Sequence, residues 1–426
     1  MTAAFEIKGW CPGAHRPMLS GDGLIVRVRP HGGRLPVAAL GGLADAARRF
    51  GNGQIDLTRR ANLQIRGVSP ETLAPLWVLM ASLDLLDDNA ELEAIRNIVL
   101  NPLAGLDPGE IVDMHPVATA LEAELATDEA LRALPGKFGF VLDGGGKLPL
   151  TGMAADVHLV AWGRGHERCI AVGLGGADGV IWLGTTAVAD AASAAVQLAH
   201  AVLQHGSTRR AADLPPDAVA GIRAELGLDA CDAIAKASAA VSQQRLGLIP
   251  LTEQTCALGL GAPFGRADSE TLARLAALLA AHHISDVRMS PWRTFYVAAN
   301  RAIADRLVAD AAHLGLIVDD TDPLMRIDAC SGVGCCPSTA LATREHARLL
   351  AGAMARERFT GTLHVSGCAK GCARSAPANL VLVGDGDAYR IVRNGTVKSE
   401  PGGTLDPAGL DATGNGLFEA REKAHV

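Results

Sequence analysis

Five of the chain's nine cysteines stand within 43 residues of one another, as Cys330, Cys335, Cys336, Cys368 and Cys372. Four of them have the spacing Cys330-x5-Cys336, then 31 intervening residues, then Cys368-x3-Cys372. Thiolates are the ligands that iron–sulfur clusters require, and four supplied from two loops can enclose a cube of iron and sulfide. Gly332 and Gly334 sit in the first loop, Gly367 and Gly371 in the second. Glycine lets a backbone close tightly around such a body and aim N–H groups at its sulfides. Pro337 suits the first turn of a helix expected over Ser338–Arg356, whose positive end would face an anionic cluster. A structural zinc site competes with this reading, although zinc ribbons usually use Cys-x2-Cys knuckles. Spacing alone leaves Cys335 a rival to Cys336.

A second group of residues is cationic. Read as one extended strand, Thr58–Arg66 carries Thr58, Arg60, Asn62, Gln64 and Arg66 on one face, and Arg59, Ala61, Leu63 and Ile65 on the other. The first face suits recognition of several carboxylates, because guanidinium pairs with carboxylate through two parallel hydrogen bonds. An ordinary solvent-exposed strand competes with that reading. Arg96, beside Asn97, and Lys137 are further candidates for the same site.

The whole chain bounds what these residues can serve. At 426 residues it exceeds the size at which one core keeps growing, so several structural units are expected. A net charge of −7 argues against a nucleic-acid partner. Apolar runs such as Leu272–Ala281 are too short to span a bilayer, and Met1–Pro12 lacks a signal-peptide core. A cytoplasmic location is the default expectation. An odd number of cysteines without a secretion signal speaks against a disulfide framework.

Two segments that position the chemistry resemble each other. The first reads as a strand at Gly23–Arg29, a helix over about 36–50 and a strand at Ile55–Arg66; the second reads as a strand at Leu258–Phe264, a helix over about 269–283 and a strand at Val287–Val297. In the second helix Ser269 suits the N-cap, with Leu272, Leu275, Ala276 and Leu279 on one face. An internal duplication is the economical explanation. Each half-repeat is followed by a longer α/β segment, and His205–Pro216 suits a linker. Near the C-terminus, Asn394 and Gly395 suggest a tight hairpin turn before Thr396–Lys398. The expected units are 1–74 and 216–304 as half-repeats, with 75–215 and 305–426 as α/β segments.

Together these residues resemble the sulfite/nitrite reductase superfamily. The resemblance lies in Thr58–Gly67, in the Arg96–Asn97 pair, in Leu134–Phe138 and in the cysteine quartet with Ser366–Cys372, in that order. It implies an α+β fold of two ferredoxin-like half-repeats and two α/β segments around a pseudo-twofold axis. It further implies a 4Fe-4S cluster on Cys330, Cys336, Cys368 and Cys372. A tetrapyrrole site would be lined by Arg60, Asn62, Gln64, Arg66, Arg96 and Lys137. Within the superfamily, Cys11–Gly13, Met18, Gly21–Leu24, Thr58–Gly67 and Ser290–Arg293 resemble the precorrin-3B synthase family. That family implies oxygen- and NADH-dependent hydroxylation of precorrin-3A with lactone formation, in cobalamin synthesis. It also implies a separate electron donor or NADH as partner, and a non-haem iron, for which His15, His31 and His158 are weak candidates. Reductases carry a second lysine where this chain has Gly139, which weakens the alternative of nitrite or sulfite reduction. Cys372 matches the cysteine that bridges to sirohaem in reductases, so the resemblance leaves room for a sirohaem.

Overall fold

The computed structural model describes residues 12–150, 152–163, 165, 167–206, 210–229, 244–410 and 417–418. Cys11, Cys231 and part of the expected linker lie outside them. The first half-repeat comprises β1 (Met18–Ser20), β2 (Gly23–Val28), β3 (Arg34–Pro36), α1 (Val37–Phe50), β4 (Gln54–Leu57) and β5 (Leu63–Val68). The single strand expected over Ile55–Arg66 is instead a hairpin, because Thr58–Asn62 turns the chain. The Thr58 hydroxyl accepts the N–H groups of Arg60 and Asn62, both at 3.2 Å, and Ala61 holds φ 54°. Local side-chain bonds of this kind compete with a continuing ladder. Alternation therefore stops at Leu57 and resumes at Leu63.

After α2 (Pro70–Ser82), the first α/β segment adds α3 (Ala90–Ile95), β6 (Ile98–Leu100), α4 (His115–Thr127), β7 (Phe140–Asp143), β8 (Val157–Trp162), β9 (Cys169–Gly176), β10 (Gly179–Thr186), α5 (Ala191–Gln204) and α6 (Pro216–Glu225). The second half-repeat comprises β11 (Gly247–Pro250), β12 (Thr255–Gly261), β13 (Arg266–Asp268), α7 (Ser269–Ala281), β14 (Asp286–Met289) and β15 (Thr294–Asn300), and α8 (Arg301–His313) follows it. Asp268, not Ser269, caps α7 by accepting the N–H of Thr271.

The duplication is borne out in detail. Leu57 pairs with Leu63, and Met289 with Phe295, so each hairpin encloses five residues. That correspondence sets Arg60 opposite Trp292 and Ala61 opposite Arg293, and both fourth residues hold positive φ, 54° and 62°. Gly32 and Gly33, at 55° and 66°, likewise match Phe264 and Gly265, at 56° and 70°. The halves also exchange strands. β3 of the first pairs with β14 of the second, and β13 of the second pairs with β4 of the first. One apolar core takes side chains from both sheets and from α1, α2, α7 and α8. The units expected at 1–74 and 216–304 thus extend through α2 and α8.

The second α/β segment comprises β16 (Ile327–Ala329), α9 (Thr343–Arg356), β17 (Leu363–Ser366), β18 (Ala378–Asp385), β19 (Ala388–Gly395) and β20 (Gly403–Leu405). Its sheet runs parallel from β16 to β18 and antiparallel from β18 to β20, the same sequence of steps as β6 to β10. Two expectations are corrected here. The helix begins at Thr343 rather than Ser338, so Pro337 stays in the loop. The tight turn lies at Gly386–Asp387, between paired Asp385 and Ala388, while Asn394 and Gly395 end β19. Among the described residues, no helix is long and apolar enough to cross a membrane.

Candidate functional site

Cys330 follows β16 and Cys368 follows β17. These strands are parallel neighbours, with Ala329 opposite Val365, so both cysteine loops emerge at one edge of the sheet. Gly367 donates its backbone N–H to Cys330 Sγ at 3.2 Å, and Thr343, at the start of α9, donates to the Cys330 carbonyl at 2.8 Å. Gly332, Gly334 and Gly371 hold φ of 71°, 81° and 64°. A Cβ at Gly332 would come within 2.6 Å of Thr343 Oγ1, so the first loop accepts only glycine there. Burial pushes the Cys372 thiol up, and Cys368, Cys330 and Cys336 push it further, against the pull of Lys370. The Cys335 sulfur instead faces Arg266 Nη1 at 3.6 Å. Among the described residues, no three Cys, His, Asp or Glu side chains converge on a point that would hold a single ion. A cube instead gives each thiolate its own iron. The thiols of Cys330, Cys336, Cys368 and Cys372, carried on two neighbouring loops, and the N–H of Gly367 are donors of the kind a cube takes.

A cavity of about 360 Å³ opens against Cys330 and Cys372. Its floor is a row across four strands, since Arg27 pairs with Gln64, Gln64 with Asp56 and Asp56 with Arg266. Arg266 arrives from the second half on the exchanged strand β13 and is ion-paired to Asp56. Arg66 pairs with Asp22, and its Nη2 also donates to Ser20 Oγ at 2.9 Å. Arg344, from α9, reaches no closer than 3.9 Å to Asp56, and its Nε and Nη1 have no partner. Burial, reinforced by Arg266, pushes its pKa down to about 10. Arg59 and Arg293 complete the wall. Six guanidinium groups thus face three carboxylates, those of Asp22, Asp56 and Asp328.

The cationic residues singled out in the sequence fall in three places. Gln64 and Arg66 line the cavity beside the cysteines. Arg60, Asn62 and Lys137 line a separate recess of about 20 Å³ with Asn97 and Gly139, and Arg60 donates to the Lys137 carbonyl at 3.1 Å. Arg96 reaches neither, being buried and bound by two parallel hydrogen bonds to Asp87, at 2.7 and 2.8 Å, with a third to the Arg29 carbonyl. Arg59, expected on the far face, lines the cysteine-side cavity because the hairpin reverses the chain there. Arg27, Arg266 and Arg344 went unnoticed in the sequence, and Arg293 stands out there only as part of the motif Ser290–Arg293. Arg27 carried a faint signal, alternating with Arg29 along a strand, whereas Arg266 and Arg344 arrive by strand exchange and helix packing. His15 contacts the Asp87 carbonyl and His31 contacts Glu122, while His158 is buried in β8 with its pKa lowered by burial. They form no common ligand set.

Comparison with known proteins finds relatives over most of the chain. A family model described as nitrite/sulfite reductase ferredoxin-like half domain matches residues 16–83. A second, described as nitrite and sulphite reductase 4Fe-4S domain, matches residues 91–203. A precorrin-3B synthase from Sinorhizobium sp is 34% identical over 419 residues, covering 96% of this chain and 88% of that one. A ferredoxin–nitrite reductase from Synechococcus elongatus is 31% identical over 135 residues, 30% of this chain and 26% of that protein. Among solved structures, the NirA protein of Mycobacterium tuberculosis has the same fold. The TM-score is 0.70 at 18% identity, over 95% of this chain and 82% of that one.

Proposed function

The chain belongs to the precorrin-3B synthase family of the nitrite and sulfite reductase superfamily, and from that membership we propose that it hydroxylates precorrin-3A. The reaction would use oxygen and NADH, close a lactone from an acetate side chain and serve cobalamin biosynthesis. The observation that carries this reading is the cationic cavity against Cys330 and Cys372, with six guanidinium groups facing three carboxylates. A precorrin's acetate and propionate groups leave water only where cations or several donors receive them. Arg27, Gln64, Arg66 and Arg266 would receive them along one row, and Arg344 holds two unpartnered donors for another. Arg60, Asn62 and Lys137 offer a second donor group beyond the hairpin. Arg96, held by Asp87 and reaching neither group, has no part in this reading. Cys330, Cys336, Cys368 and Cys372 would hold a 4Fe-4S cluster, which when bound supplies single electrons. The described residues offer no ligand set for a non-haem iron, and no step is assigned to one.

A second reading, sirohaem-dependent nitrite or sulfite reduction, is favoured by one observation: Cys372 is exposed and lines the cavity. Anaerobic purification with iron, sulfide and tetrapyrrole quantification separates the two. The expected result is iron and sulfide in cube proportion, no intense sirohaem absorption, and label in the product when precorrin-3A and NADH meet isotopically labelled dioxygen. Sirohaem in the purified protein with nitrite or sulfite consumption, and no labelled product, would overturn the proposal.

A further inference from the structure

One carboxylate gathers guanidinium groups from three parts of the chain. Asp328, on β16, accepts from Arg59 at 2.7 Å, from Arg374 at 3.0 Å and from Arg293 at 3.4 Å. Arg59 belongs to the first hairpin, Arg293 to its pseudo-twofold counterpart and Arg374 to the loop of Cys372. Among the described ion pairs, neither Arg59 nor Arg293 has another acidic partner. Both line the cavity, while the Asp328 side chain is only 14% exposed behind them.

Two features mark the arrangement as built. Arg293 holds φ 62°, a conformation that a non-glycine residue adopts only when its surroundings impose it. Its side chain runs across Gly265, where any Cβ would come within 2.4 Å of Arg293 Cδ. His364 is the β17 register partner of Asp328 and is buried, and neither ring nitrogen has a hydrogen-bond partner. Burial pushes its pKa down to about 4, so it is neutral near pH 7 and the arginines alone answer the Asp328 charge.

We propose that Asp328 is a positioning residue for substrate: it aims Arg59 and Arg293 into the cavity, where their remaining N–H donors take one carboxylate of the tetrapyrrole. This rests on the tetrapyrrole reading. A guanidinium has five N–H donors in a fixed fork, and Arg59 gives one nitrogen to Asp328 and keeps the others for a ligand. The Arg59 side chain is 55% exposed, and the tether removes much of its rotamer freedom before substrate arrives, which lowers the cost of ordering it.

Charge and positioning predict opposite signs. Deleting a carboxylate from a cationic wall raises its potential, so charge alone predicts tighter polyanion binding in Asp328→Asn. Positioning predicts weaker binding. Cluster-loaded wild type, Asp328→Asn, Arg59→Ala and the double variant are titrated with uroporphyrin, an octacarboxylate tetrapyrrole, with iron and sulfide measured in each. Asp328→Asn and Arg59→Ala are each expected to weaken binding about tenfold, and the double variant to be little weaker than either, as for residues acting through one another. Unchanged or tighter binding in Asp328→Asn, or additive losses, overturn the proposal. Should Asp328→Asn lose iron, Arg59→Lys decides instead: it keeps the charge without the fork and is expected to lose most of the same affinity, and unchanged binding overturns the proposal equally. Failure of uroporphyrin to bind the wild type removes the tetrapyrrole reading and this inference with it; wild-type binding with an intact Asp328→Asn removes the positioning role alone.

Discussion

Cys335 and Cys336 are adjacent in sequence and face different surroundings. Cys336 shares its electrostatic neighbourhood with Cys330, Cys368 and Cys372, whereas Cys335 faces the Arg266 guanidinium. Cys336→Ser is therefore expected to strip iron and sulfide from the protein, and Cys335→Ser to leave both near wild type, because a cube short of a thiolate is labile. Cluster loss in Cys335→Ser with retention in Cys336→Ser would reverse the assignment. The neighbouring pair Arg59 and Arg60 makes a second comparison. Strict alternation sends Arg60 toward the cysteines and Arg59 away, and the hairpin inverts that order. Arg59→Ala should weaken tetrapyrrole binding about tenfold, roughly 1.4 kcal/mol, and should exceed the loss in Arg60→Ala. Titration of both cluster-loaded variants checks it, and a larger loss in Arg60→Ala would return the recess beside Lys137 to first place.

At the scale of elements, what was legible followed from periodicity and what was not followed from turns without a signature. α7 showed its apolar stripe, and both α1 and α7 stand where the sequence implied. The turn at Thr58–Asn62 holds no glycine or proline, so nothing in it interrupts a strand pattern; only the Thr58 hydroxyl and a left-handed Ala61 close it. The cysteine loops were legible because thiol spacing survives whatever the helix boundary does. The cavity wall was legible only in Gln64 and Arg66, since Arg266 and Arg344 come from elements that meet only by strand exchange and helix packing. The loop between β6 and α4 carries a pH dependence of its own. Burial pushes the Glu110 carboxyl up to about 7, with Asp113, Asp107 and Asp143 adding to it against the Gly105 N–H. A folded-state value above the ordinary 4.5 means a contribution to stability that is full below pH 4.5 and lost as pH rises through about 7. Glu110→Gln is expected to raise the thermal midpoint above pH 7 and change it little below pH 4.5, read by thermal denaturation across that range. A gain confined to acid would mean that Glu110 is not the group under strain.

At the scale of the molecule, the exchange of β3 and β13 makes the halves inseparable. Leu35, on β3, pairs with Val287 on β14, and both side chains are fully buried. Ala267, on β13, pairs with Ile55 on β4 in the mirrored contact. These residues belong to one core that spans both sheets, so neither half can lose its borrowed strand without exposing the interior of the other. The cavity depends on the same exchange, because Arg266 rides on β13 and reaches Asp56 only while that strand is paired. Leu35→Ala should cost about 2–5 kcal/mol, the usual range for a large-to-small change in a packed core. Its distinguishing effect is where protection is lost. Hydrogen exchange in the variant is expected to rise in β14 and β15 of the second half as well as in β4 and β5 of the first, because a shared core opens cooperatively. Faster exchange confined to the first half would show two cores that happen to touch, and would leave the pseudo-twofold exchange without a role in holding the substrate wall together.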